Sequence, residues 1–228
     1  MPFGYHGCYL RVDASAGTAE LASLGDEERR RFLGGVGLGT WILARESPAG
    51  VDPLGEAAAL VVALSPLVGS PLTTSAKFAV LAKSPLTDRL CDALSSSTFA
   101  IAAKRAGIDA LAIRGARDEP SVLFIDGQGG SDAPRISWRP AGDLWTQSAR
   151  RTEERLRERH GADWQILAIG PAGEARIPFA TLSHDGRHAG RGGLGAVLGS
   201  KRVKAVAVRG DRRAELADPA RVVALARD

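Results

Sequence analysis

Runs of adjacent apolar residues, rather than long amphipathic stretches, set the pattern of this chain. Residues 60–64 (LVVAL) and 78–82 (FAVLA) are apolar without interruption and stop at Ser65-Pro66 and at Lys83-Ser84-Pro85. Short apolar runs closed by proline turns predict strands buried on both faces. Residues 8–13 (CYLRVD) alternate instead, as a strand with one wet face does, and Gly17 turns the chain after them. Further strands are expected at 110–114, 121–125, 136–139, 164–169, 177–182 and 205–209. Helical periodicity marks 26–33, 40–46, 98–106 and 146–160, with Gly107 as the left-handed residue after the third of these. Asp126-Gly127-Gln128-Gly129-Gly130 reads as a turn of hairpin type, and Asp218-Pro219 opens a last helix.

Strands come in consecutive runs with few helices between them, which predicts α+β rather than alternating βαβ. Gly37-Leu38-Gly39 and Gly193-Leu194-Gly195 each stand before an apolar helix start. This faint echo makes an internal duplication an expectation.

Composition narrows the class. With 228 residues, 44% hydrophobic and 25% charged, the chain has the make-up of a globular protein of one large or two small domains. The net charge of +4 is spread among interspersed acids and bases, so it fits an anionic cofactor as well as nucleic acid. Residues 150–160 place glutamates three and four positions from arginines, the pattern of a self-paired solvated face, and aromatics total only 5%. No nucleic-acid partner is expected. Cys8 and Cys91 are the only cysteines and no CxxC occurs, so no iron–sulfur cluster or structural zinc is expected on this chain. The first residues show no signal peptide, and the apolar run 57–64 is far too short to span a bilayer. A cytoplasmic protein without membrane contact is the expectation.

The candidate chemistry sits in a glycine-dense block, Gly190-Arg191-Gly192-Gly193-Leu194-Gly195, preceded by Arg187. Glycines let backbone N–H groups converge on an anion, a helix start adds partial positive charge, and arginine adds a forked donor. The same glycines equally serve tight turns and close helix–sheet packing. The spacing Gly190-x-Gly192-x-x-Gly195 matches a dinucleotide fingerprint, but the polar segment 183–188 stands where a strand is required. Gly199-Ser200-Lys201 has the wrong order for a P-loop. His184 and His188 are four apart but flanked by Gly186 and Gly190, so no metal ligands are assigned, and no catalytic residues are readable. Lys77, Lys83, Arg187 and Arg191 lie beside small residues at strand ends or loops, where they suit phosphate.

In sequence order, a series of blocks resembles the N-terminal domain of the tungsten-containing aldehyde ferredoxin oxidoreductases. They are Gly4-Tyr5-x-Gly7 with Leu10-Arg11-Val12-Asp13, Phe32-Leu33-Gly34-Gly35-x-Gly37-Leu38-Gly39, and Asp52-Pro53-Leu54-Gly55. Lys83-Ser84-Pro85-Leu86-Thr87, Lys104-Arg105-Ala106-Gly107-x-Asp109-Ala110, and Ile169-Gly170-Pro171-Ala172-Gly173-Glu174 follow. The segment from Ala189 to Lys201 completes the series.

The resemblance implies an α+β domain of two β-sheets, residues 1–210, on which a tungsten (or molybdenum) bis-pterin lies. Residues 211–228 would be a linker and the start of a following helix. In that family dithiolene sulfurs hold the metal and a magnesium ion joins the pterin phosphates, so no protein metal ligand is implied. Lys77 stands for a family arginine, keeping the charge and losing the fork. Arg187 and His188 match a pterin-contacting pair, the second acting through its carbonyl, and Arg191, Gly192 and Gly193 complete that wall. Where the family has Ser-Asn-Ser-Gly-Gly, this chain reads Ala93-Leu94-Ser95-Ser96-Ser97. Leu94 and Ser96 therefore take the second half of the site. The family's two further domains carry its iron–sulfur cysteines and aldehyde pocket, so the resemblance implies a second chain supplying them, with ferredoxin served through it. Assembly with further copies of the chain is also compatible. The other reading is a non-catalytic module, derived from that domain, that binds an anion or a partner.

Overall fold

The computed structural model describes residues 3–130 and 132–227; Met1, Pro2 and Asp228, at the outer ends of the two expected segments, and Ser131 lie outside it. The first half runs β1 (Cys8–Asp13), β2 (Thr18–Ser23), α1 (Asp26–Phe32), α2 (Gly35–Glu46), β3 (Leu60–Leu64), β4 (Lys77–Lys83), β5 (Leu90–Ser96), α3 (Thr98–Arg105) and β6 (Ala110–Arg114). The second half runs β7 (Ser121–Gly127), β8 (Arg135–Pro140), a 3-10 turn at Gly142–Leu144, α4 (Ala149–His160), β9 (Gln165–Ala168) and α5 (Pro171–Glu174). It ends with β10 (Leu182–His184), β11 (Arg187–Ala189), α6 (Leu194–Ser200) and β12 (Val203–Gly210), and α7 (Pro219–Leu225) follows.

Two mixed six-stranded sheets result, in the orders β2-β1-β6-β3-β4-β5 and β11-β10-β9-β12-β7-β8. The expected α+β class with two sheets is therefore observed. Side chains from both inner faces, among them Val62, Val80, Ile125 and Val206, form one core with α3 and α6 between the sheets. A second cluster packs Leu38, Ile42 and Leu43 of α2 on the outer face of the first sheet, beside Val61 and Leu81. A third packs Leu156 of α4 against Phe124 and Ile166 of the second sheet. Covered on both faces, β3 and β4 have no position for a polar side chain in their centres. Each such aliphatic group contributes about 1.5–3 kcal/mol by leaving water.

The duplication is real at the level of topology. Reading the second sheet from its other edge gives β8-β7-β12-β9-β10-β11, the same order as the first with six added to every strand number. The senses repeat too: β1 with β6 and β7 with β12 are the parallel pairs, and the remaining neighbours are antiparallel. Equivalent helices are then α2 with α4 and α3 with α6. The two Gly-Leu-Gly tripeptides lie on α2 and α6, so that echo joins non-equivalent elements.

β2, β5 and α5 form where no element was expected, and three further segments depart from their expected form. Helix α2 begins at Gly35, five residues before the periodicity suggests, because Gly39 lets it lie against β3 and β4; a Cβ there would overlap the Leu81 side chain. The strand expected at 177–182 is irregular except for Leu182. Segment 183–188, read as a loop, forms most of the β10–β11 hairpin.

Candidate functional site

The two sheets bring one edge each to a common seam. β5 is one edge strand of the first sheet and β11 one of the second, and the two edges pack beside each other. By the duplication they are equivalent strands, so the β4–β5 and β10–β11 hairpins meet as a pseudo-symmetric pair. Asp185 and Gly186 turn the second hairpin, both with positive φ (47° and 71°), as a two-residue type I′ turn requires.

Between the edges opens a cleft of about 600 Å3 lined by Asp92, Ala93, Leu94, His188, Gly190 and Arg191. Three of the residues named from sequence, Leu94, His188 and Arg191, thus share one cavity. Lys77 is the cross-strand partner of Ser96, and Ala79 that of Leu94, so Lys77, Leu94 and Ser96 lie on one face of the hairpin. Arg187 opens β11. Lys77, Arg187 and Arg191 are exposed, and among the described residues none of them forms an ion pair or a side-chain hydrogen bond. His188 shares a hydrogen bond of 2.8 Å between Nδ1 and Ser183 Oγ. Burial and the neighbouring Asp92 carboxylate raise the Cys91 pKa, opposed by Arg191.

Gly192 and Gly193 stand behind this cleft and do something different from what their sequence suggests first. Both have positive φ, 66° and 72°. A Cβ on Gly192 would overlap the Cys91 thiol and lie 2.8 Å from its Cβ; one on Gly193 would overlap the Pro178 carbonyl oxygen. Further along, Gly195 and Gly199 meet the backbones of Thr181 and Gly173 as closely. The Gly195 N–H, a donor at the start of α6, is spent on the Ala180 carbonyl at 3.0 Å. Close packing therefore accounts for these glycines, and Gly190 is the one left open to the cleft.

The Lys83-Ser84-Pro85-Leu86-Thr87 block finds its reason here too. Ser84 is fully buried; its hydroxyl accepts from the Leu86 and Thr87 N–H groups at 3.1 and 3.2 Å and donates to the Gly192 carbonyl at 2.7 Å. One side chain thus ties the β4–β5 turn to the glycine segment. Lys83, grouped with the phosphate candidates from sequence, is committed elsewhere, to Asp88 at 2.7 Å and the Val51 carbonyl at 2.8 Å.

Sequence reasoning missed Asp92 on the cleft wall, while Gly190, the first glycine of the block, does line it. Sequence reasoning also missed the β10–β11 hairpin, although Asp185-Gly186 is a strong hairpin signal. The two histidines set aside as a metal pair diverge in the structure: His184 pairs with Arg187 in register and is fully buried, whereas His188 is exposed.

Comparison with known proteins matches residues 9–210 to the family model of the aldehyde ferredoxin oxidoreductase N-terminal domain. The chain is 37% identical over 228 residues to the tungsten-containing aldehyde ferredoxin oxidoreductase of Pyrococcus horikoshii, covering 99% of this chain and 37% of that protein. It is 33% identical over 220 residues to the WOR-like subunit of an aliphatic sulfonate oxidoreductase from Pyrococcus furiosus, covering 91% of this chain and 35% of that one. Among solved structures, the active-site complex BamBC of benzoyl-coenzyme A reductase with 1,5-dienoyl-CoA superposes with a TM-score of 0.92 at 31% identity, over 100% of this chain and 34% of that chain. The chain thus spans a little over a third of the length of the relatives it matches.

Proposed function

This chain belongs to the aldehyde ferredoxin oxidoreductase N-terminal-domain family, and from that premise we propose that it is the cofactor base of such an oxidoreductase. In this reading residues 1–210 carry a tungsten or molybdenum bis-pterin with its bridging magnesium, and 211–228 lead to the rest of the system. α7, which buries none of its side chains and exposes Val223 and Leu225, suits that role. A partner bearing the iron–sulfur cluster and substrate pocket would complete an enzyme that oxidises an aldehyde to a carboxylic acid and passes electrons to ferredoxin. No catalytic side chain is assigned to this chain. A cytoplasmic location fits, and no helix among the described residues is long and apolar enough to cross a membrane.

The observation that carries the reading is the seam itself. Two equivalent hairpin edges flank a cleft that Arg191 lines, and Arg191, like Lys77 and Arg187 on the same two hairpins, forms no ion pair among the described residues. A two-pterin group has a matching two-fold character and anionic phosphates. The Ser97 hydroxyl, next after Ser96, is buried without a hydrogen-bond partner among the described residues. That donor at the end of β5 adds to the fit. Lys77, Arg187 and Arg191 would hold phosphate charge, while the backbones of Leu94, Ser96 and His188 would offer carbonyls along the two edges. Gly192 and Gly193 would set the wall by holding it against Cys91 and Pro178. The bound group would supply the two-electron redox chemistry; the chain supplies position, charge balance and exclusion of water.

Co-expression with pterin-cofactor biosynthesis and the missing portion of a relative, followed by metal and pterin analysis, tests this. One tungsten or molybdenum with two pterins per chain is expected; their absence would overturn the reading. The alternative is a binding module without redox chemistry. Its support is the apolar rim: Leu86, Leu90, Leu94 and Phe179 are all more than half exposed. That module would gain thermal stability from pyrophosphate or a partner protein and none from the pterin.

A further inference from the structure

A second cleft, which shares no lining residue with the one at the seam, opens where the loop after β3, the end of α3 and the segment after β12 meet. Its volume is about 430 Å3. Four cations line it: Lys104 and Arg105 from the last turn of α3, and Arg212 and Arg213 from beyond β12. Among the described residues no carboxylate lines it.

The charges there do not balance. Lys104 is buried and neutralised by Asp109. Arg212 donates one side-chain hydrogen bond, to the Asp132 carbonyl at 2.9 Å, and meets no acid. Arg105 and Arg213 are exposed and, among the described residues, form neither an ion pair nor a side-chain hydrogen bond. The C-terminal end of a helix attracts cations, which accounts for Lys104 and Arg105. It does not account for Arg212 and Arg213, which a different segment brings to the same place. Three guanidinium groups gathered without a counter-charge repel one another, and an anion between them removes that cost.

Main-chain contacts hold the walls in place. The Arg212 N–H donates to the Arg105 carbonyl at 2.9 Å, and Gly210 passes so close to that carbonyl that a Cβ would overlap it. Gly4, with a φ of 82°, ties the opposite wall. Its N–H donates to the Glu215 carbonyl at 2.6 Å, and a Cβ on it would stand 2.7 Å from the Pro66 carbonyl oxygen. The cations are thus gathered before any ligand arrives, so binding has little ordering to do.

The rest of the wall selects among anions. Val68, Pro71, Ile101 and Leu216 are aliphatic, and among the described residues no aromatic ring lines the cleft to stack a base. Ser70, also on the wall, carries a hydroxyl that is buried without a hydrogen-bond partner among the described residues. A buried donor left unmet costs free energy that a ligand oxygen would recover. A phosphate monoester meets all three conditions: its oxygens accept guanidinium forks, its double charge answers more than one arginine, and its alcohol can be aliphatic.

We propose that this cleft binds one phosphate monoester of an aliphatic alcohol. Arg105, Arg212 and Arg213 hold the phosphate with the Ser70 hydroxyl, and the chain lies along Val68, Ile101 and Leu216. The site stands apart from the cofactor reading, because none of these residues belongs to the seam.

The test is calorimetric titration of the purified chain with n-butyl phosphate at low ionic strength, beside inorganic phosphate, butyrate and adenosine monophosphate. One butyl phosphate per chain is expected, bound at least about fivefold more tightly than each of the other three. Its butyl protons should show nuclear Overhauser contacts to the methyl groups of Val68, Ile101 and Leu216. Arg105→Gln combined with Arg213→Gln should weaken binding at least about tenfold, with native circular dichroism and a Tm no lower than that of the wild type, since repulsion is relieved. Ser70→Ala should weaken it about threefold. Arg187→Gln combined with Arg191→Gln, which alters the seam alone, should leave it within about twofold. Four results would each overturn the proposal: no saturable binding, binding unchanged in Arg105→Gln with Arg213→Gln, loss confined to Arg187→Gln with Arg191→Gln, or butyl phosphate bound no more tightly than inorganic phosphate, which would mark an adventitious anion patch.

Discussion

Replacing Gly192 with alanine separates the two demands placed on that residue. Its φ of 66° costs a residue with a Cβ about 1–2 kcal/mol. The added Cβ must also displace Cys91, whose own Cβ would be 2.8 Å away and whose thiol would overlap it, and overpacking of this kind costs roughly 1–3 kcal/mol. The sum is about 2–5 kcal/mol, or a Tm lowered by on the order of 10 °C for a chain of this size. Gly50 is the control: its φ is 72°, but nothing lies within 4 Å of an added Cβ. Gly50→Ala should therefore lose only the conformational part, about 1–2 kcal/mol. Adding Cys91→Ala to Gly192→Ala removes the thiol and should restore roughly 1 kcal/mol, a coupling typical of touching residues. Urea denaturation of these three variants, of Cys91→Ala alone and of the wild type measures all of this. If Gly192→Ala costs no more than Gly50→Ala, or Cys91→Ala restores nothing, close packing is not why position 192 is glycine.

Other expectations follow from the same structure. Asp109 is buried with Lys104, 2.5 Å from its ammonium, and accepts the Gly7 N–H at 2.7 Å, so Asp109→Ala should cost about 3–5 kcal/mol in urea denaturation. Lys201 is buried on the Ala58 carbonyl with its pKa pushed down by burial to about 8, from 10.5. Between those values the unfolded chain holds more protons than the folded one, so stability rises with pH there. The stability of the wild type relative to Lys201→Met should grow by roughly 3 kcal/mol between pH 8 and 10.5, and a flat difference would show Lys201 titrating normally. Arg187→Gln combined with Arg191→Gln should leave stability within about 0.5 kcal/mol, since both side chains are exposed and unpaired, while pterin content after co-expression falls at least tenfold.

The central strands were legible because burial on both faces leaves an unbroken apolar run, as in β3 and β4. The edges were not. β2 (TAELAS), β5 (LCDALSS) and β11 (RHA) expose part of each strand, and their mixed sequences carry little signal. Segment 177–182 misled in the opposite direction. Its apolar Ile177 and Phe179 are exposed, and its backbone is shaped by contact with Gly193 and Gly195 rather than by strand pairing. Of the site, the arginines and the altered Leu94–Ser96 stretch could be named from sequence blocks. That Leu94 and Arg191 share a cleft depends on sheet order, which no local pattern encodes. The spacing of His184 and His188 carried no pairing either: four residues mean proximity on a helix, and these two lie on opposite strands of a tight hairpin.

The crossover helices give the duplication a consequence for assembly. α3 belongs to the first half but packs on β9 and β12 of the second, and α6 of the second half also touches β3 and β4. Neither half closes its core alone, so the molecule behaves as a heterodimer whose two protomers share one polypeptide. The six residues 115–120 are its tether, and a tether that short holds the halves at an effective concentration of about millimolar or more. Cutting it would make folding bimolecular, with residues 1–116 and 117–228 expected to recover structure only when mixed in equal amounts.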